Sequence, residues 1–107
     1  MKRKTKRLSI YLKAIRNWGI RTQLEMAQEE ATELALAVRK MIKNPSAENQ
    51  SAVAGEIADV EIMIEQLKVT YDLTKEVGYI KRQKVRKLKK RLEDFDLEWK
   101  LSQEEND

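Results

Sequence analysis

Four carboxylates form two matched pairs on neighbouring predicted helices. Glu30 and Glu33 are three residues apart, and Glu56 and Asp59 repeat that spacing. Residues three apart lie on one face of a helix, so both acids of a pair point the same way. Carboxylates this close repel one another, whereas a divalent cation between them removes the conflict, and oxygen ligands suit a hard ion such as Mg²⁺. The spacing therefore predicts a metal site with coordination positions left for phosphate oxygens.

The alternative is an ordinary solvated acidic surface, because most single E-x-x-E motifs on helices hold no ligand. The placement of the two pairs favours the metal site. Glu30 and Glu33 line up with Met26 and Ala37 at the border of an apolar stripe, and the second pair is placed in the same way. Fully polar faces are available elsewhere on both helices. Both interpretations stay open on the residues alone.

The amino-acid composition excludes several kinds of functional site. The chain has no cysteine and no histidine, so thiolate and imidazole metal sites, disulfides and the commonest general base are all excluded. Its net charge of +4 suits an anionic partner, either nucleic acid or a nucleotide. No apolar run is as long as a membrane span, and the basic N-terminus lacks the apolar stretch of a signal peptide. We therefore expect a cytoplasmic protein that does not enter a membrane.

The acids are expected to lie on long helices. The 107 residues include only three glycines and one proline, so few breaks between helices are expected. The periodicity predicts an all-α antiparallel bundle of about four helices, one domain over residues 1–107, completed by oligomerisation. We expect flexible ends at 1–7 and 102–107. The expected helices cover about 8–18, 22–43, 52–73 and 74–101, with breaks at Gly19 and Pro45. The two central helices have these expected core stripes: Leu24, Ala27, Ala31, Leu34, Val38 and Met41, then Val53, Ile57, Val60, Ile64, Leu67 and Tyr71.

The acid motifs also resemble a known family. EEATE at 29–33, followed after 22 residues by EIAD at 56–59, resembles the EExxE…ExxD signature of the MazG-like all-α nucleoside triphosphate pyrophosphohydrolases. The likeness extends over about residues 15–92 and is greatest to compact, single-domain members. It implies a helical bundle that forms dimers or dimers of dimers. It also implies cleavage of a (d)NTP to a (d)NMP and pyrophosphate, a reaction of nucleotide-pool housekeeping.

The resemblance implies roles for individual acids. Glu30, Glu33, Glu56 and Asp59 would bind Mg²⁺, with Mn²⁺ as a substitute, and Glu29 with Glu30 would serve catalysis by orienting water. Some relatives have a further acid just before the second motif, where this chain has Gly55. That difference bears on whether more than one metal ion is held.

Substrate-binding residues are implied by the same likeness. KVRKLKKRL at 84–92 is similar to a basic run near the end of small family members. Lys84, Lys87 and Arg91 share one helical face and would bind the phosphates. Trp18 would stack on the base and Gln23 would hydrogen-bond to it. The alternatives are a merely solvated basic helix and a tryptophan that only packs.

A different class of function remains open. The basic N-terminus and the basic last helix also suit a non-catalytic helical-bundle protein that binds nucleic acid or a protein partner. The pyrophosphohydrolase hypothesis does not require nucleic acid. Metal-dependent hydrolysis of nucleotides distinguishes the pyrophosphohydrolase from the non-catalytic binding protein.

Overall fold

The computed structural model describes residues 2–106, with the side chains of residues 6–105, and this part of the chain is helical apart from two short connections. Its elements are α1 (Lys2–Lys43), α2 (Ala47–Tyr71) and α3 (Thr74–Asn106). The all-α prediction is confirmed. The described part has three helices where the sequence predicts about four, because the first two predicted helices continue into one another as α1.

Gly19 marks the predicted break inside α1. Its φ of 83° and ψ of 162° are non-helical and bend the element between its two parts. Residues with a Cβ rarely adopt this region, so glycine is the residue that permits the kink. The sequence signal at Gly19 thus located a real change of direction, although the chain re-enters the helix at once.

A three-residue connection joins α1 to α2 and makes them antiparallel neighbours. Ser46 caps α2, its Oγ accepting a hydrogen bond of 3.1 Å from the Asn49 backbone N–H. The Asn49 side-chain amide donates back to the Asn44 carbonyl at 2.8 Å. These bonds satisfy backbone groups at both helix ends and favour a tight αα-hairpin. We call residues 20–71 the hairpin.

The two hairpin helices pack along a seam whose members recur every three or four residues. Such spacing is that of two helices packed in the manner of a coiled coil. We call the following buried or half-buried positions the seam: Gln23, Ala27, Glu30, Leu34, Ala37 and Met41 on α1, and Asn49, Val53, Glu56, Val60, Met63, Leu67 and Thr70 on α2.

The predicted core stripes are therefore partly wrong. Ala27, Leu34, Met41 and three predicted α2 residues do lie in the seam, but the other large apolar members are more than 40% exposed: Leu24, Val38, Ile57, Ile64 and Tyr71. The reason is that polar residues occupy part of the buried face. The sequence pattern placed Glu30 and Glu56 at the border of the stripe and centred the stripe on the neighbouring apolar residues.

The chain divides into two compact units, the first ending at Leu73 and the second consisting of α3. Asp72 ends α2 in the left-handed conformation, with φ 53°, and its backbone N–H bonds to the Lys68 carbonyl. On α3, every side chain from Tyr79 to Glu105 is exposed. None of the helices within residues 2–106 contains a segment with the length and apolarity needed to span a bilayer.

The helices also extend past their predicted ends, since α1 begins at Lys2 and α3 continues to Asn106. Lys, Arg, Gln and Glu are good helix formers, so these polar ends can continue a helix. The predicted flexibility of 1–7 and 102–107 includes Met1 and Asp107, which lie outside the described residues, and it stays a prediction.

Candidate metal centre

Three of the four predicted metal ligands lie together. Each of Glu30, Glu56 and Asp59 offers a carboxylate oxygen, and these oxygens are all within 4.8 Å of one another. Glu30 and Glu56 are half-buried seam residues on opposite helices, whereas Asp59 is exposed one turn after Glu56. The acids thus lie in the packed seam and at its edge. We call these three residues the acid group.

Glu56 is the member that most clearly lacks a partner. Its Oε2 is buried and has no hydrogen-bond donor. Among the side chains of residues 6–105, the ion pairs are Arg21 with Glu25 and Lys89 with Glu93, so no lysine or arginine neutralises the acid group. A buried carboxylate oxygen without a donor is costly, and a bound cation would remove that cost.

Glu30 shows the electrostatic effect of the arrangement. Partial burial raises its pKa, and the negative charges of Asp59 and Glu56 raise it further. Glu29 and Glu33 contribute in the same direction. A raised carboxyl pKa means that the charged form of Glu30 is disfavoured, as expected for a partly buried acid close to other acids.

The donor set fits Mg²⁺. Oxygens that share one octahedral Mg²⁺ lie about 2.9–4.2 Å apart, given metal–oxygen distances of about 2.0–2.1 Å. The separation of up to 4.8 Å in the acid group is slightly wider, and small side-chain rotations close the difference. Three carboxylates would leave the other positions of the octahedron to water or phosphate oxygens. Mn²⁺ accepts the same ligands.

Glu33 and Glu29 complete the acidic surroundings without joining the group of three. Both are exposed on α1. They are close enough to act electrostatically on Glu30, as its raised pKa shows. The role of Glu33 as a fourth ligand and that of Glu29 in catalysis stay predictions.

A groove lies along α2 from the position before Asp59, and none of the three acids lines it. Its volume is about 710 Å³, and it lies between the part of α1 before Gly19 and the stretch of α2 that begins at Ala58, one residue before Asp59. The Tyr11 hydroxyl donates a hydrogen bond to the Glu65 carboxylate across it. That bond, with burial and the charge of Glu65, raises the pKa of Tyr11. The kink at Gly19 forms the groove by turning the first part of α1 along α2.

Trp18 and Gln23, the predicted base-binding residues, have different surroundings. Trp18 lines the groove and is 59% exposed, so its ring is accessible to a ligand. Gln23 is only 2% exposed, and both polar atoms of its amide lack a partner. Its part in binding a base stays a prediction.

Gln66 is a groove residue that sequence reasoning missed. It is 8% exposed, lines the groove, and its Oε1 has no hydrogen-bond donor. It follows Asp59 by seven residues, two helical turns, and so lies on the same face of α2. That interval was the available signal, although a glutamine on a helix is too common for the interval alone to single it out.

The predicted phosphate-binding residues Lys84, Lys87 and Arg91 belong to α3, which is the second unit. All three are exposed. Their spacing puts them on one helical face, and their participation in the site stays a prediction.

The chain matches no protein-family model, and no curated protein or solved structure is significantly similar to it.

Proposed function

We propose that the protein is a Mg²⁺-dependent nucleoside triphosphate pyrophosphohydrolase of the MazG-like type, which converts a (d)NTP to a (d)NMP and pyrophosphate. The observation that supports this most is the meeting of Glu30, Glu56 and Asp59, none of which forms an ion pair with a lysine or arginine among the side chains of residues 6–105. The EExxE…ExxD signature adds the reaction class. A cytoplasmic location accords with this function, because the substrates are made there.

The reaction requires attack of water on the α-phosphorus and release of pyrophosphate. Bound Mg²⁺ supplies neutralisation of the charge that develops on the phosphate oxygens. Glu30, Glu56 and Asp59 would hold the ion. Glu29 or Glu30 orients the water and accepts its proton as the bond from the α-phosphorus to the bridging oxygen breaks.

The groove supports a binding site for the rest of the nucleotide. It is in the size range of small-molecule pockets, it begins on α2 one residue before Asp59, and Trp18 offers an aromatic face for a base. Lys84, Lys87 and Arg91 are assigned to the phosphates by the resemblance and by their charge.

The exposed apolar side chains of the hairpin support assembly as a homodimer or a dimer of dimers. Leu24 and Val38 are 14 residues apart and share one face of α1, and Ile57 and Ile64 share one face of α2. Each directly follows a seam position, so in an antiparallel pair the two rows flank the same side of the seam. A second copy packed there would bury side chains that are now more than 40% exposed.

A nucleic-acid-binding protein is the second candidate, because one observation favours it. Residues 81–91 of α3 contain eight lysines and arginines with no acid among them, and all are exposed. Such a segment attracts phosphate backbones through charge alone. This function predicts salt-sensitive binding to DNA or RNA and gives no reason for the acid group.

The test is hydrolysis by the purified chain. A panel of (d)NTPs is incubated with Mg²⁺, with Mn²⁺ and with a chelator, and the monophosphate and pyrophosphate are quantified. We expect equal amounts of both products, dependent on the metal. Glu56→Gln and Asp59→Asn should each lower kcat/KM by a hundredfold or more, because each removes a charged ligand. Glu48→Gln is the matched control, since Glu48 is an exposed acid in the first turn of the same helix.

Release of inorganic phosphate in place of pyrophosphate would contradict the assigned bond cleavage. Activity that survives Asp59→Asn and Glu56→Gln unchanged would contradict the assigned site. Salt-sensitive nucleic-acid binding with no hydrolysis of any nucleotide in the panel would favour the second candidate.

A further inference from the structure

The apolar side chains of the second half of α3 follow the spacing of a helix that pairs with another helix. They recur at alternating intervals of three and four residues, and each is more than half exposed: Val85, Leu88, Leu92, Phe95 and Trp99. We call these five residues the α3 stripe. The spacing is that of the a and d positions of a coiled coil. Because helices gain most of their stability from packing an apolar face, we expect the α3 stripe to pack against a partner.

Charge is divided sharply along the same helix. The segment 81–91 has eight basic residues and no acid, whereas the segment 93–105 has six acids and a single lysine. The α3 stripe runs through both segments, from Val85 in the basic one to Trp99 in the acidic one. One apolar face therefore joins two halves of opposite charge.

We propose that the α3 stripe pairs with the same stripe of a second copy of this chain, with the two helices antiparallel. The antiparallel orientation places the basic segment of each copy beside the acidic segment of the other. A parallel pair would place basic beside basic and acidic beside acidic, and like charges across a helix pair destabilise it. The opposite charges thus select both the partner and its direction.

The spacing also sets the register. In an antiparallel pair, a positions face d positions of the other helix. The register that keeps the apolar residues together puts Leu92 against the partner's Phe95 and Leu88 against the partner's Trp99. The two-fold axis then passes between Leu92 and Phe95, and every contact occurs twice. This closed, two-fold arrangement limits the association through α3 to a pair.

The residues beside the stripe have opposite charges in this register. Lys89 comes next to the partner's Asp96, and Arg91 next to the partner's Glu98. All four side chains are exposed on α3, so each ion pair adds only a few tenths of a kcal/mol. Their effect is on orientation more than on strength. The apolar stripe supplies most of the stability of the pair.

An anionic membrane or nucleic acid suits the stripe less well. The basic segment would be attracted to such a surface, but Phe95 and Trp99 continue the apolar face among the acids of 93–105. Those acids would be repelled from lipid headgroups or phosphates. A second copy of α3 is the partner whose charge matches both halves.

The pairing involves none of the acid group, and its tests change Lys89, Leu92 and Asp96, which have no part in the proposed catalysis. It places Lys84 and Arg91 beside the paired stripes and leaves Lys87 on the outer side of the helix. Failure of hydrolysis would leave the pairing untouched, and failure of the pairing would leave the acid group untouched.

Cross-linking of the full chain tests the orientation directly, because the sequence has no cysteine. The variants Lys89→Cys and Asp96→Cys are each treated with a short thiol cross-linker, first alone and then as a mixture of the two. In the antiparallel register, residue 89 of one copy lies beside residue 96 of the other. We expect rapid cross-linking in a mixture of the two variants and little in either alone. Self-linking of each single variant would show a parallel pair, and no linking in the mixture would show no pair; either result overturns the proposal.

The size of the assembly in solution tests the stripe itself. Leu92→Gln should raise the dissociation constant of the assembly tenfold or more, measured by sedimentation. Leu97→Gln is the matched control, because Leu97 lies on the same helix outside the stripe and both leucines are 57% exposed. Neither change removes a buried side chain, so both variants keep the fold. Equal effects of the two substitutions, or no effect of Leu92→Gln, would overturn the proposal.

The charges give a third measurement. Lys89→Glu alone and Asp96→Lys alone should each weaken the assembly, since each creates like charges beside the stripe. A mixture of the two variants should recover the association, because glutamate at 89 then meets lysine at 96. If each variant associates more weakly and the mixture does not recover the association, the register is contradicted.

Discussion

Glu30 on α1 and Glu56 on α2 present carboxylate oxygens within 4.8 Å of each other across the seam of the hairpin. Both side chains are half-buried, and Oε2 of Glu56 has no hydrogen-bond donor. Helix pairs ordinarily place apolar residues at such positions. The hairpin thus keeps two acids in its packed interface, where they destabilise the fold unless a cation neutralises them.

Metal binding should therefore stabilise the protein. At ten times its dissociation constant, Mg²⁺ should raise the free energy of unfolding by about 1.4 kcal/mol, which is several degrees in Tm. Mn²⁺ should act in the same way. Asp59→Asn should abolish most of the rise, and Glu48→Gln should keep it. The measurement is thermal unfolding followed by circular dichroism, and an equal rise in the Asp59→Asn variant would contradict the site.

Without metal, the stability should depend on pH through Glu30. Its pKa is raised in the folded state, so between the ordinary glutamate pKa and the raised value the folded protein binds more protons than the unfolded chain. The free energy of unfolding then falls as pH rises through that window, and the loss is complete above the raised pKa.

Glu30→Gln should remove this part of the pH dependence. In chelator, the variant should be more stable than the wild type at neutral pH, and the difference should shrink on acidification toward the ordinary glutamate pKa. Urea unfolding at a series of pH values measures it. A variant that is less stable than the wild type at neutral pH would show that the carboxylate stabilises the seam.

Gly19 and Gly55 offer a matched pair of substitutions. A Cβ at either position meets no atom within 4 Å, so the backbone decides the outcome. Gly19→Ala should cost about 1–3 kcal/mol, because φ is 83° and ψ 162° at that position. Gly55→Ala should stabilise α2 by about 0.5–1 kcal/mol, because Gly55 is an exposed helical residue. Urea unfolding of both variants measures the two effects, and effects of the same sign would contradict the kink.

Gln23 should show opposite effects on stability and on function. Its amide is buried without partners, so Gln23→Met, a change of similar volume, should raise the free energy of unfolding by about 1–2 kcal/mol. If the amide binds a base, as the resemblance implies, the same change raises KM for the nucleotide. Gln28→Met, at an exposed position of the same helix, should change neither quantity. An unchanged KM in Gln23→Met would remove Gln23 from the substrate site.

Much of the helical organisation was readable from the residues. The scarcity of glycine and proline indicated long helices, Gly19 indicated the bend in α1, and the stretch after Lys43 indicated the hairpin turn. These are local effects of backbone freedom and capping, which act within a few residues. The spacing of Glu56 and Asp59 likewise required nothing beyond one helix, and it correctly put them on one face.

The burial of particular residues was not readable in the same way. Pattern reading placed Ile57 and Ile64 in the core and the acids at its border, whereas the seam contains Glu56 and leaves the two isoleucines more than 40% exposed. Nor did the sequence show that Gln23 is almost fully buried. Which face of an amphipathic helix is covered depends on the neighbouring helix and on assembly, and periodicity alone cannot distinguish two candidate faces.

By itself, then, the sequence determined the all-helical class, the kink and turn that shape the hairpin, and which acids share a face, because intervals of three and four residues have the same meaning on any α-helix. Only the tertiary structure decided that Glu30 meets Glu56 and Asp59, that Glu33 stands apart from that group, and that Gln66 lines a groove. Those relationships join residues on different turns and different helices, and they depend on how α1 and α2 are rotated against each other, which local spacing does not specify.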